Sequence, residues 1–314
     1  MSADRFRTRL RTAVAGLVAV VPILAVAVSG CGADATSAAD GEESATCPNG
    51  QIRFGVEPFE DPAKLTPAFT VLGDALSKKL NCPVKVQIVE NYSAEVLAMQ
   101  NGQLEIGQFG PLGYVFASDR AKAEPLVSFG DGSGKLSTYK AGIWVPKDSP
   151  VKTVADLKGR SLALSSTGST SGDALPRFAL KQAGVAESAV KIDYAGGHPQ
   201  SMLALVNGKV DAAEINTQQQ ATAAEAGTFD ESKFRRIWTS EPIPNDPITV
   251  PGDLDPQLKK SIKNALTSLP KSDVAKVGAY LDVEPGPLVP VTKQTYQPLF
   301  ELAETLGLTE KDAE

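Results

Sequence analysis

From Gln51 onward, short β-rich runs alternate with stretches of helically spaced apolar residues. This alternation constrains the fold more than any other feature of the chain. Gln51 to Val56 reads as a strand, and Pro67 to Leu80 as a helix with Asn81 as its stop signal. Val84 to Val89 alternates as a strand, Ala94 to Asn101 reads as a helix, and Leu104 to Gly107 as a strand. Gly110-Pro111 then opens a helix through Ser118. Parallel neighbours need crossover connections, so a β-α-β-α-β order points to an α/β fold with a mainly parallel sheet.

A second unit starts near Ala141. Strands are expected at Gly142–Val145, Ser161–Leu164, Val190–Tyr194, Val210–Ile215 and Phe234–Trp238. Helices are expected at Asp173–Gln182, Ser201–Val206 and Gln218–Ala226, with a short one at Val154–Gly159. From Glu241 the chain holds Pro-rich turns and helices with no strands of their own, which pack back on the first unit. The second unit is then an insertion: residues 47–140 with 240–314 make one lobe, and 141–239 the other. Ligands in such α/β pairs lie in the crevice at the strand carboxyl ends.

The N-terminus is an address rather than part of the fold. Arg5, Arg7, Arg9 and Arg11 precede the uncharged apolar run Ala13 to Val28, and Val28-Ser29-Gly30-Cys31 follows. This order resembles a bacterial lipoprotein signal over residues 1–30, which implies cleavage before Cys31 and a lipid on its sulfur. The alternatives are an ordinary signal peptide or a membrane anchor. Residues 31–46 contain no large apolar side chain and read as a flexible tether. In an exported chain the remaining pair, Cys47 and Cys82, is most simply a disulfide, since parallel pairing of the strands they precede brings them close; two buried thiols are the other option.

Composition removes several functions. The 314 residues include 37 acidic and 31 basic side chains, 3 cysteines and one histidine. One histidine cannot build a His-rich metal site, and a net charge of -6 disfavours nucleic acid as partner. Residues 1–30 hold four Arg and one Asp, so the chain from Cys31 has 27 basic and 36 acidic residues, net -9. An anion would therefore be held by local donors, not by the overall field. Gly130-Asp131-Gly132-Ser133-Gly134-Lys135 fails as a phosphate loop: Phe129 stands where the first Gly belongs and Leu136 follows the Lys.

Ser165 to Gly172, all Ser, Thr or Gly, lies between a strand and a helix. Backbone N–H groups, hydroxyls and the helix dipole combine there into a neutral-donor anion site, suited to a phosphoryl or sulfonyl group; read blandly, the run is a helix cap plus a flexible loop. The ordered set of Asp156-Leu157-Lys158-Gly159, Ser169-Thr170-Ser171-Gly172, Gly196-Gly197-His198, Asn207-Gly208-Lys209-Val210-Asp211 and Ile243-Pro244-Asn245-Asp246-Pro247 resembles the phosphate/phosphite/phosphonate substrate-binding proteins of ABC importers. The resemblance runs from Gln51 to Leu269. It implies a two-lobed, type II periplasmic-binding-protein-like fold, each lobe a mainly parallel sheet flanked by helices. It also implies delivery to a permease with its ATPase, no covalent chemistry, no cofactor and no metal.

Residue by residue, the resemblance assigns Ser169, Thr170 and Ser171 to the anionic oxygens. His198 becomes a further donor, and Tyr92 and Tyr139 donors from the first lobe. Tyr114 is a weaker candidate, with packing on its own helix as the alternative. In aminoalkylphosphonate receptors of this family two carboxylates pair with the substrate amine. Asp246 matches one, but Gln218 stands at the other, which disfavours 2-aminoethylphosphonate. A lone Asp246 would accept from a P–OH group, favouring phosphate, phosphite or a small alkylphosphonate over sulfate. Glu214, one strand earlier, is a further acid able to face the cleft. The other readings are a receptor for a sulfonate or thiamine precursor, and an exported hydrolase using Ser169 or Ser171 with His198.

Overall fold

The computed structural model describes residues 47–313; the expected signal segment, the tether and Cys31 lie outside the described residues. The first elements are β1 (Ile52–Val56), α1 (Pro62–Leu80), β2 (Val84–Ile88), α2 (Tyr92–Gln100), β3 (Ile106–Gln108), α3 (Pro111–Arg120), β4 (Glu124–Phe129) and β5 (Thr138–Tyr139). Next come β6 (Gly142–Pro146), β7 (Ser161–Leu164), α4 (Leu175–Gln182), β8 (Lys191–Tyr194), α5 (His198–Val206), β9 (Ala212–Glu214), α6 (Thr217–Glu225) and β10 (Phe234–Thr239). The last are β11 (Ile243–Pro244), β12 (Ile248–Val250), α7 (Pro256–Thr267), α8 (Lys271–Gly278), β13 (Leu288–Pro290) and α9 (Gln297–Leu306).

Two sheets result, in the orders β13-β4-β12-β3-β1-β2 and β10-β6-β9-β7-β8, with a small ribbon β11-β5. The alternation read from sequence governs the parallel parts, β2-β1-β3 and β8-β7-β9. The remaining pairings are antiparallel, so both sheets are mixed rather than mainly parallel. The expectation of a strand-free C-terminal stretch is corrected as well. Ile248–Val250 and Leu288–Pro290 are strands of the first sheet, and they flank β4, which the alternation also missed. Segments of three residues are too short to show a period; neighbours on both sides supply what their own sequence lacks.

Local chemistry explains the elements that position the cleft. α1 begins five residues before the apolar spacing suggested, because Asp61 caps Ala63 N at 2.9 Å and Pro62 fills the first turn. Pro67 is carried inside the helix. Leu65, Phe69, Leu72 and Leu76 are fully buried against β1 and β2, contributing on the order of 1.5–3 kcal/mol each. Gly73 permits this approach: a Cβ there would lie 2.7 Å from Val86 Cγ2. Cys47 and Cys82 are joined as a disulfide with Cα atoms 5.5 Å apart, tying the segment before β1 to the segment before β2. The chain passes between the sheets at Tyr139–Gly142 and Thr239–Ile243. There Ser240 N donates to Ala141 O at 3.0 Å and Ala141 N donates to Ser240 Oγ at 2.9 Å.

Candidate functional site

The loop after β7 is shaped by its own short side chains. Gly168 takes a positive φ of 81°, and Ser169 Oγ accepts from Gly172 N at 3.2 Å, opening a wide helical turn over Thr170–Ala174 that runs into α4. Asp173, 1% exposed, clamps the loop: its carboxylate accepts from Gly168 N at 3.0 Å and from the Tyr194 hydroxyl at 2.8 Å. Thr170 Oγ1 accepts from Leu112 N at the start of α3, and Asn216 Nδ2 donates to Ser171 Oγ at 3.0 Å. The loop hydroxyls thus accept from α3 of the first lobe and from Asn216, which fixes the loop beside a helix start, where N–H groups favour an anion.

His198 is the first residue of α5, buried opposite this loop. Its Nδ1 lies 2.8 Å from Glu214 Oε1, and its Nε2 lies 3.3 Å from Ser169 Oγ. Glu214 is fully buried at the end of β9, beneath the ring. Burial opposes charging the imidazole, but the Glu214 carboxylate outweighs it and the His198 pKa is raised. The ring therefore holds its proton more readily than a free histidine, and its Nε2 faces Ser169 Oγ. Gly172 makes room for it, since a Cβ there would fall 2.8 Å from His198 Cε1.

The first sheet supplies the facing wall. Tyr92 and Tyr139 are buried, and burial together with the nearby Glu57 and Asp246 carboxyls pushes both hydroxyls well above their usual range, keeping them protonated. The Tyr92 hydroxyl reaches Ser169, and that of Tyr139 reaches Ser171 and Thr170. Asp246 Oδ2 accepts from Gln108 Nε2 at 2.8 Å, and Gln218 Nε2 donates to Asn245 Oδ1 at 3.3 Å. Burial pushes the Asp246 carboxyl up to about 7, against the Gln108 hydrogen bond and the His198 charge.

Tyr92, Tyr139, Ser169, Thr170, Ser171, His198, Gln218 and Asp246 all border one cavity, which the structure completes with Glu57, Glu60, Gly110, Asn216 and Gln219 among others. About 30 Å³ is open there to the centre of a water-sized sphere. About 10–15 Å³ on that scale holds one water, so the space matches a compact group of a few heavy atoms. Among the described residues, no lysine or arginine lines it. A model of the family described as ABC transporter, phosphonate, periplasmic substrate-binding protein matches residues 54–296.

The chain belongs to this family. The phosphate-import protein PhnD of Mycolicibacterium smegmatis is 26% identical over 268 residues, 82% of each chain. A probable ABC transporter phosphite binding protein, PhnD1 of Prochlorococcus marinus, is 26% identical over 227 residues, 69% of this chain and 75% of its own. The structure of Prochlorococcus marinus PhnD1 in complex with methylphosphonate has a TM-score of 0.71 at 21% identity, covering 82% of this chain and 98% of its own. That likeness establishes the fold, a two-lobed type II periplasmic-binding architecture.

Within this phosphonate-family binding protein, three expectations meet the structure. Asp246 is not a lone acid, because Glu57 and Glu60 border the same cavity. Tyr114 stays out of the cavity and packs in the core against Tyr296 and Phe300 at ring distances of 5.2 and 5.9 Å. Glu214 lies behind His198 rather than on the cavity wall. Glu57 was findable by rule: it directly follows β1, at a strand carboxyl end. Asn216 was findable the same way, since it directly follows the expected strand Val210–Ile215, whereas Asp173 gave no such signal because its role is to clamp the loop by hydrogen bonds to Gly168 and Tyr194.

Proposed function

We propose that this family member captures a small phosphorus oxyanion (phosphate, phosphite or a small alkylphosphonate) between its lobes and hands it to an ABC permease. The carrying observation is the cavity itself: hydroxyls and the raised-pKa imidazole converge from both lobes on a compact space that, among the described residues, no lysine or arginine lines. Ser169, Thr170, Ser171, His198, Tyr92 and Tyr139 donate to the oxyanion, Asp246 accepts from its P–OH, and Gln218 supplies a neutral contact. Residues 47–140 with 240–314 form one lobe and 141–239 the other, and they close by hinging at the paired Ala141 and Ser240. Cys31 carries the lipid that holds the receptor, as a monomer, on the extracytoplasmic face of the membrane.

Titration calorimetry of the processed chain, with Cys31→Ser to avoid lipidation, tests the reading with phosphate, phosphite, methylphosphonate, 2-aminoethylphosphonate and sulfate. Micromolar or tighter binding of a phosphorus oxyanion is expected, and nothing tighter than millimolar rejects it. His198→Ala should weaken the preferred ligand by about 1–3 kcal/mol.

One observation favours a second reading, hydrolysis. Ser169, His198 and Glu214 stand in the order nucleophile, base, acid. Two features argue for binding instead: Ser169 Oγ is engaged as a helix cap, and the carboxylate favours a ring that holds its proton over one that accepts it. Release of p-nitrophenol from phosphate or acetate esters, abolished by Ser169→Ala, would reverse that preference.

A further inference from the structure

Glu57 is a glutamate in a place where an anion receptor has no evident use for one. It is 2% exposed, borders the cavity, and its Oε2 finds no hydrogen-bond partner among the described residues. The backbone is arranged around it: Gly110 lies against the carboxyl, and a Cβ at that glycine would fall 2.7 Å from Oε1. Asp246, 5% exposed, borders the same cavity, but one of its oxygens is already engaged by Gln108 Nε2 at 2.8 Å. The other titratable groups around Glu57 are Glu95, fully buried behind it with neither oxygen hydrogen-bonded among the described residues, and Tyr92, Tyr139, Glu60 and His198.

An oxyanion beside two ionised carboxylates in this space would place at least three negative charges together. Among the described residues, the one basic side chain on the wall, His198, is already paired with Glu214. Buried like charges resolve such a conflict by keeping a proton, as paired carboxyls do. The Gly110 N–H favours the anion on Glu57 and Gln108 the anion on Asp246, but Glu57 Oε2 has no partner among the described residues, so we place the proton there.

Resting on the reading of this cavity as a phosphorus-oxyanion site, we propose that Glu57 is a specificity-determining residue. Its carboxyl is the donor half of a one-proton pair with Asp246, giving an O–H to one ligand oxygen while Asp246 accepts from the ligand's P–OH. The pair therefore selects an oxyanion that carries an acidic hydrogen and disfavours sulfate. Burial and the Asp246 charge raise the Glu57 pKa well above the usual carboxylate range, in keeping with this division of roles.

The test compares the processed full-length wild type with Glu57→Gln and Glu57→Ala, titrated with phosphate, methylphosphonate, 2-aminoethylphosphonate and sulfate at pH 7. The amide of the glutamine variant donates in place of the O–H, so its phosphate affinity should stay within about three-fold of wild type, while Glu57→Ala should lose about ten-fold or more. Glu57→Leu, which fills the space without a donor, replaces the alanine variant if thermal melting shows that it does not fold. Equal losses in the glutamine and donor-free variants would make Glu57 an acceptor and overturn the proposal. Unchanged affinity in the donor-free variant would remove Glu57 from the ligand. Tighter wild-type binding of 2-aminoethylphosphonate than methylphosphonate, lost in Glu57→Gln, would make it an ammonium site instead. If wild type binds no phosphorus oxyanion, the site reading itself fails and this proposal falls with it; the other outcomes bear on Glu57 alone.

Discussion

At the scale of single residues, the site depends as much on a missing side chain as on those present. Gly172 is where the loop's helical turn, Ser165 and the His198 ring meet, and a methyl group added there would collide with Ser165 and press on the imidazole. Gly172→Ala should therefore displace the ring and cut affinity for the preferred oxyanion by ten-fold or more, on the order of 1.4 kcal/mol or above. Thermal melting of the ligand-free variant separates that loss from general destabilisation. Asp173 positions the same loop from behind, without reaching the cavity. Neither role is written in a motif's chemistry; the small-residue run foretold donors, while the steric reason for its last glycine appears only once α5 is packed beside it.

At the scale of elements, the parallel core was legible because each of its strands is followed by a helix with its own cap or apolar stripe. β7 matches its expected span, and β1, β2 and β8 match to within a residue. What stayed hidden were β4, β12, β13 and the ribbon β5-β11, all paired with partners distant in sequence, although β6 and β10, also paired at a distance, were expected. The site shows the same division. Most of its second-lobe members sit on local motifs, whereas Gln108 reaches the Asp246 carboxyl only through the way β3 and β12 pair. The disulfide is likewise a long-range tie, spanning 35 residues of sequence across the β1–β2 edge. Closing a loop of that length stabilises by about 3–4 kcal/mol on the chain-entropy estimate. Reduction, or the double replacement of Cys47 and Cys82 by Ser, should lower the denaturation midpoint accordingly in urea titrations, with oxyanion affinity little changed because neither cysteine borders the cavity.

At the scale of the whole molecule, the buried acids set the response to pH. Glu57, Glu95 and Asp246 all have carboxyls raised on folding, and His198 is raised as well. A group raised on folding contributes stability that is complete below its unfolded pKa and lost as pH climbs through its folded one. The surface carboxylates held low, Asp131, Asp156, Asp211 and Asp230, act in the opposite sense, but their contribution is lost only on acidification below about 4. Between pH 5 and 8 the raised groups therefore govern, and the ligand-free protein should melt lower as pH rises, each kcal/mol lost costing about 2–4 °C. Asp246→Asn should flatten that slope; a Tm that climbs with pH in wild type would contradict the assignment.

The way the chain threads its two sheets also fixes an order of assembly. The second sheet is drawn wholly from residues between Gly142 and Thr239, so it is complete in sequence before the first sheet can be. In the first sheet, β4 sits between β12 and β13, both of which come after that excursion. As the polypeptide emerges from its amino end, β4 must wait with both edges unpaired until about Val250 has appeared and with one edge open until about Pro290, holding open an invitation to foreign strands. A truncation ending near Thr239 should thus carry a finished second sheet beside an aggregation-prone half-sheet, and the last quarter of the chain serves as the clasp that closes the body begun by its amino-terminal part.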